Sequence, residues 1–150
     1  SILSNERHLP LIYALMFGMP GIPCVYYGSE WGTKAEKSQG DPALRPCFDG
    51  PMFNELTEFI SKLAEAKKLS RELNYGDFTS VVLTNKQCIF KRTVDGESVY
   101  VCINADEQDY KAYFELNNIQ VTDLITGDII NIGDGLDMPA YSAFWLRIRQ

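Results

Sequence analysis

Apolar residues fall into two rhythms along the chain, helical in the first half and alternating in the second. Leu9, Ile12, Leu15 and Met16 recur at helical spacing. Pro10 sits in the first turn of that segment, where a missing N–H is tolerated. The stretch Gly18–Pro23 holds two glycines and two prolines and must end the helix. Cys24-Val25-Tyr26-Tyr27 is a short apolar run without alternation, the pattern of a parallel strand covered on both faces. Residues 33–50 are polar and punctuated by Gly and Pro, which predicts a long loop. A second helix is predicted to start between Pro51 and Asn54. Its core face is Phe53, Leu56, Phe59, Ile60, Leu63 and either Ala66 or Lys67. Burying the five large apolar residues of that stripe contributes about 1.5–3 kcal/mol each before entropy is subtracted.

From Tyr75 onward the period becomes two. Strands are predicted near 77–83, 87–94, 98–104, 109–116, 120–125, 128–132 and 141–148. Turn signals separate them at Asn85-Lys86, Asp95-Gly96, Asn117-Asn118, Thr126-Gly127-Asp128 and Gly133-Asp134-Gly135. Short strands at this spacing predict an antiparallel sandwich or barrel. The boundary between the halves falls near Leu73–Gly76, dividing the chain into 1–73 and 74–150. A lone strand with two helices cannot bury its own faces, because a parallel strand needs neighbours on both edges. The first half therefore reads as the end of a larger α/β domain, and a start at Ser1 without Met or leader reads as an excised piece. Apolar surface left uncovered by that truncation predicts self-association.

Composition narrows the partners. Of 150 residues, 45% are hydrophobic and 23% charged, as in globular proteins. No apolar run approaches the roughly 20 residues that cross a bilayer, and Leu9–Met19 follows no basic leader. The net charge of −6 comes with scattered Lys and Arg, which excludes the clustered basic surface of a nucleic-acid binder. A neutral substrate such as a sugar fits this charge. Cys24, Cys47, Cys88 and Cys102 form no CxxC pair, and His8 has no cysteine near it in sequence, so neither a zinc site nor any other cofactor is predicted. Cys88 and Cys102 stand where a hairpin can bring them together. The preferred reading of all four is as small buried hydrophobes in a reducing, cytoplasmic compartment.

The segment Gly21-Ile22-Pro23-Cys24-Val25-Tyr26-Tyr27-Gly28-Ser29-Glu30, the loop motif Asp41-Pro42-Ala43-Leu44-Arg45 and the amphipathic helix after it resemble the α-amylase superfamily, glycoside hydrolase family 13. The loop is most similar to the cyclomaltodextrinase, neopullulanase and maltogenic amylase group. The resemblance implies an α+β fragment: the last βα unit of a (β/α)8 barrel, followed by that family's antiparallel C-terminal β-sandwich. Gly21–Glu30 would hold the eighth barrel strand, with His8–Met19 and Asn54–Leu69 as the seventh and eighth helices. Leu73–Phe78 would be the junction, and Pro139–Leu146 the sandwich's last strand.

Retaining glycoside hydrolysis needs a nucleophilic carboxylate and a carboxylic acid about 5–5.5 Å apart. In the family these residues, and a third Asp in an Asn-His-Asp motif, would all precede Ser1. Asn5-Glu6-Arg7-His8 has the wrong order for that motif; Asn5 reads as a helix cap and His8 as an ordinary first-turn residue. Glu55, Glu58 and Glu65 read as a solvated helix face, and Ser29 lacks a nucleophile elbow. The chain by itself is predicted to be catalytically inactive. The resemblance implies that Asp41 and Arg45 bind an oligosaccharide substrate, the carboxylate accepting from vicinal hydroxyls and the guanidinium donating in a fork. The same two residues also fit a short capped turn with an i, i+4 ion pair. Glu30 and Trp31 are weaker candidates to line that pocket. The alternative to an enzyme segment is a stand-alone carbohydrate-binding or structural β-sandwich, which would present two or more aromatics on one flat surface.

Overall fold

The computed structural model describes residues 5–148, apart from the Lys37 side chain. α1 (His8–Gly18) follows a turn in which Asn5 Oδ1 accepts the Arg7 N–H at 3.0 Å. It is apolar on most sides, burying Leu11, Tyr13, Ala14 and Phe17, and the chain leaves it through Pro20. α2 is a single turn, Asp41–Leu44, inside the long loop. α3 (Glu55–Leu69) begins with a capping box: Asn54 Oδ1 accepts the Thr57 N–H at 3.0 Å while the Thr57 hydroxyl faces the Asn54 N–H. α4 (Arg71–Tyr75) follows directly, capped by the Ser70 hydroxyl.

Eight strands follow: β1 (Asp77–Leu83), β2 (Gln87–Val94), β3 (Glu97–Asn104), β4 (Tyr110–Ala112), β5 (Ile119–Asp123), β6 (Ile129–Ile132), β7 (Leu136–Met138) and β8 (Ser142–Ile148). Six of them make one antiparallel sheet in the order β1-β2-β3-β8-β5-β6, and β4 pairs with β7. Asp95 and Gly96, both at positive φ, close the β2–β3 hairpin, as a two-residue turn of this type requires. The large sheet is the middle layer. One face, with Phe90, Val99, Val101, Ile103 and Trp145, packs on α1, α3 and α4. The other, with Ile89, Tyr100, Cys102, Val121 and Leu146, packs on Ala112, Leu116, Leu136 and Met138 beneath the small sheet. This is the antiparallel, sandwich-like β-unit read from the alternation.

Where the helices meet the sheet, backbone carbonyls are satisfied by two buried cations. Arg92, on β2, donates from Nη1 to Gly18 O (3.1 Å) and Leu73 O (3.0 Å), and from Nε and Nη2 to Gly76 O. Lys67 Nζ donates to Phe17 O (2.9 Å), Leu73 O (3.1 Å) and Met19 O (3.3 Å). Neither makes an ion pair among the described residues. Their charge is met by the negative ends of α1 and α4. Burial, with Arg92 nearby, lowers the Lys67 pKa. Glu72 is also buried, bonded to Ser70 Oγ and Arg147 Nη2 at 2.8 Å each. Gly18 is required here, because a Cβ would stand 2.8 Å from Val101 Cγ2.

Several expectations are corrected. Residues 24–27 form no ladder, and Cys24, Tyr26 and Tyr27 are exposed: a strand written for neighbours on both edges finds none among the described residues. Phe53 lies outside α3 and is 74% exposed, so the stripe's core comes down to Ile60 and Leu63, flanked by Leu56 and Phe59. β4 is shorter than 109–116. β7 had no legible signal, since three residues cannot express a period. α4 carries the first half of the stretch Leu73–Phe78 read as a junction, and β1 begins at Asp77. Cys88 pairs in register with Ile103, and Cys102 with Ile89, so the two thiols point to opposite faces of the sheet and no disulfide links them. Cys24 and Cys47 are exposed rather than buried. His8 is more than a first-turn residue. Its Nε2 donates to Ala105 O at 3.1 Å and its ring lies 5.5 Å from Tyr141, joining α1 to the β-unit.

Candidate functional site

The candidate residues lie between the end of α1 and the start of α3. After Tyr27 the chain turns through Gly28 (φ 83°), where Phe48 would stand 2.8 Å from any Cβ. A 3-10 turn, Ser29–Trp31, follows. Three contacts anchor it. Tyr13 Oη donates to Ser29 Oγ (2.8 Å), Thr57 Oγ1 to Glu30 O (3.1 Å), and Asn54 Nδ2 to Trp31 O (3.1 Å). The capping residues of α3 thus also hold the turn that carries Glu30 and Trp31.

Trp31 meets Phe48 edge-on at 4.7 Å, Phe48 meets Tyr27 at 6.0 Å, and Tyr27 lies 4.8 Å from Tyr26. Tyr26 and Tyr27 remain 55% and 47% exposed, so this cluster presents aromatic surface rather than core. Lost hydration, then the hydrogen bond and charge of Tyr26, raise the Tyr27 phenol above its ordinary value, while the nearby Arg45 charge pulls the other way. Phe48 was not among the residues singled out from sequence. Its signal was the tyrosine pair with Gly28, whose missing side chain leaves room for a ring.

Asp41 is the first residue of α2 with Pro42 behind it, and Gly40 rather than Asp41 occupies the cap position. Arg45 closes the turn, its N–H donating to Asp41 O at 2.9 Å. Both side chains are exposed, and no ion pair joins them among the described residues. The i, i+4 ion pair is therefore absent among the described residues, and the Arg45 charge acts on the Tyr27 phenol. Glu30 departs from expectation: its Oε2 is closed off from solvent without a hydrogen-bond partner among the described residues. Trp31 lines a groove of about 880 Å³ together with Tyr26, Thr33, Leu44, Leu56 and Phe59. A Lys34–Glu6 ion pair stands at its rim. A second concavity, about 640 Å³, opens beside Ser98, Tyr100, Thr122 and Arg147 at the far end of the sheet.

Among the described residues no group of three or more His, Cys, Asp or Glu is placed to hold a metal ion. No helix is long and apolar enough to cross a membrane. Among the described residues of 74–150, Tyr75, Phe78 and Tyr113 are the exposed aromatics; Phe78 lies 4.9 Å from Phe90, and Tyr113 lies over Gly135.

No family model matches the chain. It is 29% identical over 99 residues to a cyclomaltodextrinase of Thermoanaerobacter pseudethanolicus, a match covering 64% of this chain and 17% of that enzyme. Its fold matches an Anoxybacillus α-amylase at a TM-score of 0.80 and 25% identity, covering 96% of this chain and 33% of the other. It matches the Geobacillus thermoleovorans α-amylase, solved with acarbose, at 0.83 and 22%, with the same coverages. The chain thus spans a third or less of the length of these relatives. In sequence and in fold it is a relative of the α-amylase-superfamily glycoside hydrolases, with cyclomaltodextrinases, amylopullulanases and a maltogenic amylase among the enzymes it matches.

Proposed function

We infer that this chain is the C-terminal segment of a retaining glycoside hydrolase that acts on α-glucans and maltooligosaccharides, and that it is not catalytic by itself. Residues 1–73 supply the last βα unit of a (β/α)8 barrel, and residues 74–150 the β-domain behind it. One observation carries the reading: 96% of the chain superposes on only a third of an α-amylase. Exposed Tyr26 and Tyr27 and the unladdered 24–27 segment support it, as a barrel strand separated from its neighbours would look this way. The two catalytic carboxylates then lie in the remaining part of the enzyme.

Asp41 and Arg45 bind sugar from the loop after the last strand, on the side where barrels of this class build their active sites. Their exposure and lack of a mutual ion pair support the role. The four free cysteines fit a reducing compartment, and we place the enzyme in the cytoplasm. The alternative, a free-standing carbohydrate-binding sandwich, would present exposed Tyr75, Phe78 or Tyr113 to sugar.

The test compares the 150-residue chain with the full-length enzyme on maltooligosaccharides. The chain alone is expected to show no hydrolysis, and Asp41→Ala or Arg45→Ala in the full-length enzyme to raise KM about tenfold or more, the loss of one charge-assisted contact. Hydrolysis by the isolated chain would overturn the first assignment. Unchanged KM and kcat in both variants would overturn the second.

A further inference from the structure

Tyr141, at the entry to β8, holds a backbone conformation that its side chain disfavours. Its φ is 53°, and a bulky residue keeps a positive φ only where its surroundings impose it. Here they do. The Tyr141 N–H donates to Asp106 O at 3.0 Å, and the Ala140 N–H to Asp109 Oδ1 at 2.9 Å. Just before them, wholly buried Asn104 donates from Nδ2 to Met138 O (3.1 Å) and Pro139 O (3.0 Å). The side chain so placed meets the turn that starts α1. Tyr141 Oη accepts from Asn5 Nδ2 at 2.9 Å, the Arg7 guanidinium lies 5.3 Å from the ring centre, and the His8 ring lies 5.5 Å away. Glu6, the remaining residue of that turn, pairs with Lys34 in the loop that carries Asp41 and Arg45. That pair is exposed and weak by itself. The stiffer link is α1, whose Tyr13, itself buried, donates to Ser29 Oγ at the start of the same loop.

We propose that Tyr141 is a positioning residue of the glycoside hydrolase: from the β-unit it fixes the Asn5–His8 turn, and α1 passes that placement to the sugar-binding loop. The inference rests on the reading of residues 1–73 as the end of a barrel and of Asp41 and Arg45 as sugar ligands. In a (β/α)8 barrel each helix starts just after a loop of the active-site face, so the start of α1 belongs to that face. A glycine would take the positive φ without strain, but it has neither ring nor hydroxyl to offer the turn.

The test measures kcat and KM on maltoheptaose in the full-length enzyme, well below the unfolding midpoint of each variant. Tyr141→Phe keeps the ring and removes the hydroxyl. Asn5→Ala removes the same hydrogen bond from its other end, and Tyr141→Gly removes the ring while relieving the positive φ. Tyr141→Phe and Asn5→Ala are each expected to lower kcat/KM about threefold, the size of one neutral hydrogen bond. The double variant is expected to fall no further, because both changes remove one interaction. Tyr141→Gly is expected to fall below Tyr141→Phe. Unchanged kcat and KM in Tyr141→Phe and Tyr141→Gly overturn the proposal whatever the unfolding midpoint does, since a purely structural role moves only the midpoint. Losses that add in the double variant also overturn it, because Asn5 and Tyr141 then act separately. If Asp41→Ala and Arg45→Ala raise KM while the Tyr141 variants match the wild type, the positioning role falls and the loop assignment stands. A non-additive loss at Asn5 and Tyr141 with KM unchanged in Asp41→Ala and Arg45→Ala upholds the positioning role and removes α2 from sugar binding.

Discussion

The helix–sheet junction and the loop that carries the candidate site are organised in opposite ways. At the junction Trp145, Leu63, Leu73, Val99 and Val101 are almost wholly buried, and even the cations Lys67 and Arg92 are taken inside. Arg92 satisfies carbonyls from α1, from α4 and at the entry to β1, so one side chain ties three parts of the chain to β2. Between Gly21 and Phe53 the chain instead relies on a few anchors, chiefly Asn54, Thr57 and Tyr13, and leaves most of its polar groups in water. The junction is built so that a change is felt as lost stability. The loop is built so that a change is felt as lost recognition.

The sharpest way to break this contrast is Arg92→Ala. It removes four hydrogen bonds to three carbonyls, two of them in buried contacts, and leaves a cavity. A loss of about 3–5 kcal/mol is expected in urea unfolding. Gly18→Val comes next. Its branched side chain must enter space held by Val101, and overpacking of this kind costs about 1–3 kcal/mol.

Glu72 gives a pH-resolved version of the same test. Burial raises its pKa, but its own backbone N–H, Ser70 and Arg147 outweigh that, and the folded value lies below the ordinary 4.5. An acid lowered by folding contributes stability above its unfolded pKa and loses it as pH falls toward the folded value. Stability is therefore expected to decline below about pH 4.5, and Glu72→Gln to flatten that limb while lowering stability at neutral pH by about 1–3 kcal/mol. Asp123 acts in the opposite sense. Burial raises its pKa despite hydrogen bonds from Trp145, Ile125 and Thr126, so its contribution weakens as pH rises past its ordinary value.

At the loop the expected stability effects are smallest. Asp41→Ala and Arg45→Ala are expected to shift unfolding by no more than about 0.5 kcal/mol, since both side chains are exposed. Their KM effect in the full-length enzyme supplies the contrast. A larger stability loss would move these residues to the structural side of the comparison. Ile22, Met52, Phe53, Tyr26 and Tyr27 are exposed together with the unladdered 24–27 segment, so the 150-residue chain is expected to self-associate in light scattering coupled to size exclusion. A clean monomer would show that this surface is tolerated in water.

What was readable in the sequence followed local periodicity and turn chemistry. α1 and α3, most of the strands and the Asp95-Gly96 hairpin were legible, because side-chain period and positive-φ preference belong to the residues themselves. The motif Gly21–Glu30 and the Asp41–Arg45 spacing were equally legible and located the candidate site on its loop. Contacts between distant residues were not. No period announces that Lys67, on the polar-looking edge of a helix stripe, reaches carbonyls at the end of α1, or that Arg92 leaves an alternating strand to do the same. Phe48 could be assigned only once Gly28 had opened space for it, and the groove appeared only when α2 came to rest beside α3. Nor could alternation show that the Cys88 and Cys102 thiols point apart, because that depends on the β2–β3 register. Short-range preference decided which elements form, through the backbone and side-chain energies of single residues. Tertiary structure decided which buried polar groups find partners and which aromatics stay exposed, because both depend on packing between segments that sequence order keeps apart.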